Sequence, residues 1–256
     1  MALDHDEPAA VHQRRGAGRG FRHHRQGPRH CGPGDRLTAI VRDDPSNPDP
    51  AFADLYGSLP DATELWPWKE LALEARPPVL YLGIGAGRLA VPLHAAGVEL
   101  VGVDSHPGML ERLQGRLPNT ELIQSRIETL KLGRQFDLII VPSNILCFIE
   151  RLRAAANHLA PGGRLAFELT NPHWLQAGAS SGVRVEAFDS NGARFQVDYE
   201  LPDGRTVTQQ AEIPLIWPDQ VEDWLARGAG LKLRRLFGRP GAELEASPSF
   251  YVVAGR

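Results

Sequence analysis

Gly83, Gly85 and Gly87 stand at alternate positions in "VLYLGIGAGRL", directly after a short apolar run. Glycines so spaced let a chain turn with positive φ and bring bare backbone against a ligand. A helix that follows offers free N–H groups and the positive end of its dipole. Such a turn suits a nucleotide, a nucleoside or a carboxylate, and it also suits tight packing of a helix on a strand. Asp104 narrows the choice. It ends the next apolar run, "ELVGVD", about 20 residues after Gly83, where dinucleotide folds place an acid that accepts from ribose hydroxyls. An aspartate there can also cap the next helix. Turn and acid together favour a ribose-bearing ligand. The dinucleotide fingerprint needs a small residue at position 88, which is Arg88, so a nicotinamide-linked oxidoreductase is disfavoured.

These residues need strands and helices to hold them. "VLYLGI", "ELVGVD", "TELIQS", "FDLIIVP" and "GRLAFEL" read as strands. Gly85 to Ala96, "HPGMLERLQGRL" and "ERLRAAANHLA" read as the helices between them, the last stopping at Pro161-Gly162-Gly163. Alternation of this kind predicts an α/β fold, a parallel sheet with helices on both faces. "DPAFADLYGSL" and "ELWPWKELALEA" predict two short helices upstream. Downstream, Asn191-Gly192 and Asp203-Gly204 mark two hairpins in an antiparallel insert, about 183–217. A helix in "PDQVEDWLARG" and two apolar segments, "LKLRRLF" and "SFYVVAG", close the chain.

The 256 residues carry a net charge of −3, which favours neither nucleic acid nor membrane as a partner. No apolar run reaches the roughly 18 residues a membrane span needs, and the acidic start lacks the apolar core of a secretory signal. A cytoplasmic protein is expected. The two cysteines exclude a disulfide framework and a four-cysteine zinc site. Residues 1–48 form an Arg/His/Gly-rich segment that lacks apolar periodicity and is expected to be disordered; residues 49–256 form the domain. His23, His24, His30 and Cys31 lack paired ligand spacing, so no metal is expected.

From Val79 to Pro172 the chain resembles the class I S-adenosylmethionine-dependent methyltransferases, in their small-molecule branch. "VLYLGIGAGRLAVPL", "GVELVGVDSHPGML", "FDLIIVPSNIL" and "HLAPGGRLAFEL" carry the resemblance, in family order. It implies a Rossmann-like, seven-stranded sheet whose last strand is antiparallel. It also implies S-adenosylmethionine as cofactor and methyl transfer to a small-molecule N, O or C nucleophile, as in secondary metabolism. Leu82, Gly83, Gly85 and Gly87 would line the methionine and ribose, and Asp104 would bind the ribose hydroxyls. Ser105 and Met109 would lie near the adenine, with Ile127 packed on its ring and Arg126 beside it. Pro142, Ser143 and Asn144 would face both cofactor and substrate, and Tyr56 would close over the cofactor. The insert would cover the acceptor, and its edge offers a surface on which two copies could pair as a homodimer.

The chain departs from the family twice. Members commonly have Glu or Asp where Tyr81 stands, to help hold the methionine amino group; here a tyrosine hydroxyl bonding the cofactor or a water would have to serve. Members often have Asp where Arg126 stands. These departures leave a second reading open, a repurposed or inactive scaffold that binds a metabolite. His173, in "NPHW" after the fifth strand, is the candidate base, because its ordinary pKa suits proton transfer near neutrality. Capping or packing explains it equally well. His94 and His158 are expected to be solvated, and His106 to cap a helix or edge the adenine site. Of the tryptophans, Trp174 alone is a candidate for an acceptor site.

Overall fold

The computed structural model describes residues 39–42, 47–179 and 182–256. In chain order these form β1 (Ala39–Arg42), α1 (Pro50–Ser58), α2 (Trp68–Leu73), β2 (Val79–Leu82), α3 (Ala90–Ala95) and β3 (Leu100–Asp104). Then come α4 (Pro107–Arg116), β4 (Glu121–Gln124), β5 (Phe136–Val141), α5 (Ile149–Ala156), β6 (Leu159–Thr170) and α6 (Pro172–Gln176). The remainder is β7 (Val183–Phe188), β8 (Gly192–Glu200), β9 (Thr206–Pro214), α7 (Val221–Ala229), β10 (Lys232–Phe237) and β11 (Ser249–Gly255). The histidine and cysteine group at positions 23–31 lies outside the described residues. No helix among them is long and apolar enough to cross a membrane.

A seven-stranded sheet runs β10-β11-β6-β5-β2-β3-β4. The neighbours from β6 to β4 are parallel, and β11 lies antiparallel between β6 and β10. This is the expected Rossmann-like α/β architecture. Its centre follows from the apolar runs: Leu138, Ile139, Ile140 and Val141 of β5 are wholly buried, as a strand covered on both faces must be. Alternate residues serve opposite faces. Leu80, Leu82, Ile139 and Phe167 pack with Leu152 of α5 and Leu225 of α7. Tyr81, Leu138, Ile140 and Ala166 pack with Trp68 of α2, Leu93 of α3 and Leu113 of α4.

A second sheet runs β1-β9-β8-β7. Its two hairpins fall at the Asn-Gly and Asp-Gly signals, with Asp189 Oδ1 accepting from the Asn191 and Gly192 N–H groups. β1 is a correction. The sequence predicts no order before Asp49, yet Ala39–Arg42 pairs in parallel with β9 and buries Val41 among Phe52, Leu201 and Val207. Four residues are too few to show a period, and their partner is distant in sequence.

Three further corrections concern helices and histidines. α3 is shorter than Gly85 to Ala96, because Gly85 and Gly87 take φ of 58° and 91° and keep the turn non-helical. α5 ends at Ala156, and Leu159–Pro161 join β6. His158 is buried, not solvated. Its Nδ1 donates to the Ala154 carbonyl at 2.8 Å, so its Nε2 is free to accept from the Leu132 N–H at 3.3 Å.

Asn171 anchors the end of β6. It is wholly buried; Nδ2 donates to the carbonyls of Leu244 (2.7 Å) and Ser247 (2.8 Å), and Oδ1 accepts from the His173 N–H (3.1 Å). Asn171→Asp keeps the shape but sets oxygen against two carbonyls. Urea unfolding at neutral pH should show a loss of about 2–4 kcal/mol, one unmet buried group at each carbonyl. An unchanged midpoint would remove Asn171 as the anchor.

Candidate functional site

Parallel α/β sheets bind ligands outside the carboxyl ends of their strands. An open cavity of about 720 Å³ lies there, at the ends of β2, β3, β5 and β6, with β8 and β9 forming its other wall. The turn after β2 forms one end. Gly83 has φ of 72°, and a Cβ on it would collide with Ile145. Gly85 is different: nothing lies within 4 Å of the Cβ it lacks, so its bare backbone faces open space. A ligand can approach there as it could not approach a larger residue.

Asp104 holds this end together. Its Oδ2 accepts from the Gly85 N–H and its Oδ1 from the His106 N–H, both at 2.8 Å. Each oxygen keeps a further lone pair, suited to a vicinal diol. Burial raises the Asp104 pKa, and the His106 and Gly85 N–H groups oppose the rise. His106 caps α4 by position, as expected, and its Nε2 bonds the Asp49 carbonyl at 2.9 Å. With Nε2 donating, Nδ1 is an acceptor, and it is buried without a partner. Arg88, where a dinucleotide site needs a small residue, donates from Nε to the Pro60 carbonyl at 2.8 Å. It ties down the segment that follows α1.

The other end is built from the strand ends of β5 and β6. Ser143 takes φ of 70°, a conformation that a non-glycine residue holds only under constraint. Its N–H donates to Glu168 Oε2 at 3.1 Å. Asn144 follows, its Oδ1 accepting from the Thr170 N–H at 2.8 Å, while its Nδ2 is buried without a partner. Beneath them Tyr81 is 4% exposed. Burial, then the charges of Asp104 and Glu168, push its hydroxyl pKa far above the ordinary tyrosine value. It therefore stays a neutral O–H.

Arg126 and Glu128 pair at 3.6 Å, but Glu128 bonds Arg151 more closely, at 2.8 Å. Burial pulls the Glu128 carboxyl upward, yet Arg151 and Arg126 hold it below the ordinary glutamate range. The far wall is α1 with β8 and β9. Gln209 Oε1 accepts from both Tyr56 (3.0 Å) and Tyr199 (3.2 Å), so one amide links α1 to the second sheet.

Most residues expected in the site meet here. Tyr56, Tyr81, Gly83, Gly85, Gly87, Asp104, Ser105, Met109, Arg126, Ile127, Pro142, Ser143 and Asn144 line the cavity. Leu82 does not: it sits on the opposite strand face, wholly buried in the core. His173 does not either. Its ring meets Trp217 edge-on, centroids 4.9 Å apart, and it does not line the cavity. Trp174 packs in the cluster around Leu175, also away from the cavity. The sequence reading missed Glu168, Gln209, Tyr199 and Arg151, which line it. Glu168 left a signal, as the one acid in the apolar run "GRLAFEL"; the others left none.

Residues 79–163 match the family model of a methyltransferase domain. Over 131 residues the chain is 31% identical to the ribosomal RNA small subunit methyltransferase G of Nitratidesulfovibrio vulgaris, covering 48% of this chain and 59% of that protein. The chain thus spans little more than half of that relative. A solved S-adenosylmethionine-dependent methyltransferase from Clostridium acetobutylicum aligns with TM-score 0.63 at 17% identity, over 80% of this chain and 97% of its own. A sugar N-methyltransferase from Streptoalloteichus aligns with TM-score 0.56 at 19% identity, over 90% and 98%. At such identities the structural likeness speaks for the fold. Fold, motif order and family model agree: residues 79–163 match a methyltransferase domain, set in a fold shared with S-adenosylmethionine-dependent methyltransferases.

Proposed function

We propose that this protein transfers the methyl group of S-adenosylmethionine to an N, O or C nucleophile of a small molecule enclosed beneath the second sheet. One observation carries the reading: Asp104, clamped by the Gly85 and His106 N–H groups, presents its spare lone pairs beside the bare backbone of Gly85. The orphaned acceptor of His106 and the orphaned donor of Asn144 mark places where a polar ligand completes the cavity.

In this reading Asp104 accepts from the two ribose hydroxyls. Ser105, Met109 and Ile127 enclose the adenine. The Arg126 guanidinium edges it as a donor, where family members often have an acceptor. Tyr56, Gly83, Gly87, Pro142, Ser143 and Asn144 complete the cofactor's enclosure. The bound cofactor supplies an activated methyl group on a sulfonium. The protein's own part is to hold the nucleophile in line and exclude water, and orientation of that kind provides much of a rate gain. The wall from β8 and β9 mixes apolar Phe195, Val197, Ala211 and Ile213 with polar Tyr199, Gln209, Gln210 and Glu212. A cavity of about 720 Å³ walled by the second sheet supports a small acceptor, as does the likeness to a sugar N-methyltransferase. In this reading His173 takes no part in the chemistry; that it does not line the cavity supports this.

Calorimetry should detect S-adenosylhomocysteine but not NAD. Asp104→Asn should weaken binding about ten- to a hundredfold, the value of one charge-assisted hydrogen bond. No heat with S-adenosylhomocysteine at millimolar concentration would sink the reading. The raised Asp104 pKa adds a pH dependence. The carboxylate form accepts from the ribose, so affinity should fall on acidification through a midpoint above the ordinary value of about 3.9. That acid limb should vanish in Asp104→Asn. His173→Ala should leave the methylation rate within about threefold; a fall of a hundredfold or more, the low end for general-base catalysis, would restore it as a base.

A further inference from the structure

The cavity holds carboxylates in three different states. Both oxygens of Asp104 take backbone N–H groups, and Glu128 is neutralised by Arg151 and Arg126. Glu168 has neither arrangement. Its Oε2 accepts from the Ser143 N–H, and no described cation pairs with it. A half-buried carboxylate without a counter-charge, facing a cavity, is a seat for a cation.

Its neighbours add to this. Asn144, whose Nδ2 lacks a partner, is fixed through Thr170, two residues along the same strand. Tyr81 feels the charges of both Asp104 and Glu168, so its hydroxyl lies in the field of both. An acceptor for a cation and a spare amide donor thus sit together at one end. An α-amino acid group, with its ammonium and carboxylate, has the complementary chemistry.

Position fits as well. Asp104 ends β3 and Glu168 lies near the end of β6, with β2 and β5 between them. Three strand spacings come to roughly 14 Å, and both acids reach inward from that width. A ribose seated at Asp104 and a short thioether chain crossing Gly83 would bring an amino-acid end to Glu168.

The geometry points to Glu168 as the residue that binds the α-ammonium of the cofactor, supplying from β6 the carboxylate that is absent at Tyr81. Asn144 Nδ2 donates to the adjoining cofactor carboxylate. This rests on the reading of the cavity as an S-adenosylmethionine site.

Glu168→Gln tests it, because the amide keeps an oxygen for the Ser143 N–H. Two probes are titrated calorimetrically: S-adenosylhomocysteine, and 5′-methylthioadenosine, which has the nucleoside and sulfur but no amino-acid end. The substitution should weaken S-adenosylhomocysteine about tenfold or more and leave 5′-methylthioadenosine within about twofold. Adding Tyr81→Glu to that variant, which returns a carboxylate from β2, should recover part of the loss. Equal weakening of both probes, or no weakening of S-adenosylhomocysteine, overturns the assignment. If the unmodified protein binds both probes equally, the ammonium seat falls and the nucleoside site stands. If it binds neither, the proposed function falls and the seat with it.

Discussion

The glycine-turn end of the cavity depends on one partly buried carboxylate. Asp104 ends β3, takes an N–H from the turn after β2, and takes another from the residue that opens α4. Leaving a charge out of water is expensive, and only donors on both sides make it tolerable. The raised pKa of Asp104 shows that the compensation is partial. A ligand that donates to the remaining lone pairs therefore meets a group already under-solvated. The same bonds transmit order outward. His106, fixed by its N–H to Asp104, bonds the carbonyl of Asp49, which caps α1 through its side chain to the Ala51 N–H. Arg112 of α4 pairs with Asp54 of α1, and Arg116 with Asp61 just beyond it. The glycine turn and α1, at two walls of the cavity, are thus parts of one hydrogen-bonded assembly.

The cover has its own weak point. Gln209 Oε1 receives both the Tyr56 and Tyr199 hydroxyls, so α1, β8 and β9 converge on one amide oxygen. Around it Phe52, Val41, Leu201 and Val207 form a small apolar cluster that includes Met109 of α4. This cluster is far smaller than the two that flank the main sheet. Elements held by few buried contacts open at lower free energy than the core, and covers over binding sites come from that end of the range. β1 extends the cluster by one strand and pairs the edge of β9 that faces away from β8.

How much of this is legible in the sequence follows from what each part rests on. The parallel core is legible because burial on both faces forces continuous apolar runs such as "FDLIIVP". The glycine turn and Asp104 are legible because positive φ and close approach admit few residue types. β1 is not legible: four residues carry no period, and their pairing with β9 spans most of the chain. Gln209 is not, because a surface-type residue became a junction only through the packing of α1 on the second sheet. His158 misled because a histidine near a helix end usually meets water, whereas here two backbone groups hold both ring nitrogens. His173 misled because it follows a strand end correctly, but Asn171 turns the chain there toward Leu244 and Ser247 and carries the ring to Trp217.

Tyr81 is where fold and chemistry conflict most sharply, and the structure suggests why an aromatic residue is tolerated. Its row across the sheet, with Gly102, Ile140 and Ala166, is core. A carboxylate placed there would be desolvated by the same burial that lifts the tyrosine pKa. It would also face Asp104 and Glu168, whose charges already act on that hydroxyl. Like charges in so dry a place would leave one carboxyl protonated. A tyrosine fills the space with apolar ring, adds no charge, and keeps a neutral O–H at the cavity. The acid then stands at Glu168, nearer the strand end and only half-buried. On this argument the substitution at 81 and the acid at 168 belong together as one electrostatic arrangement.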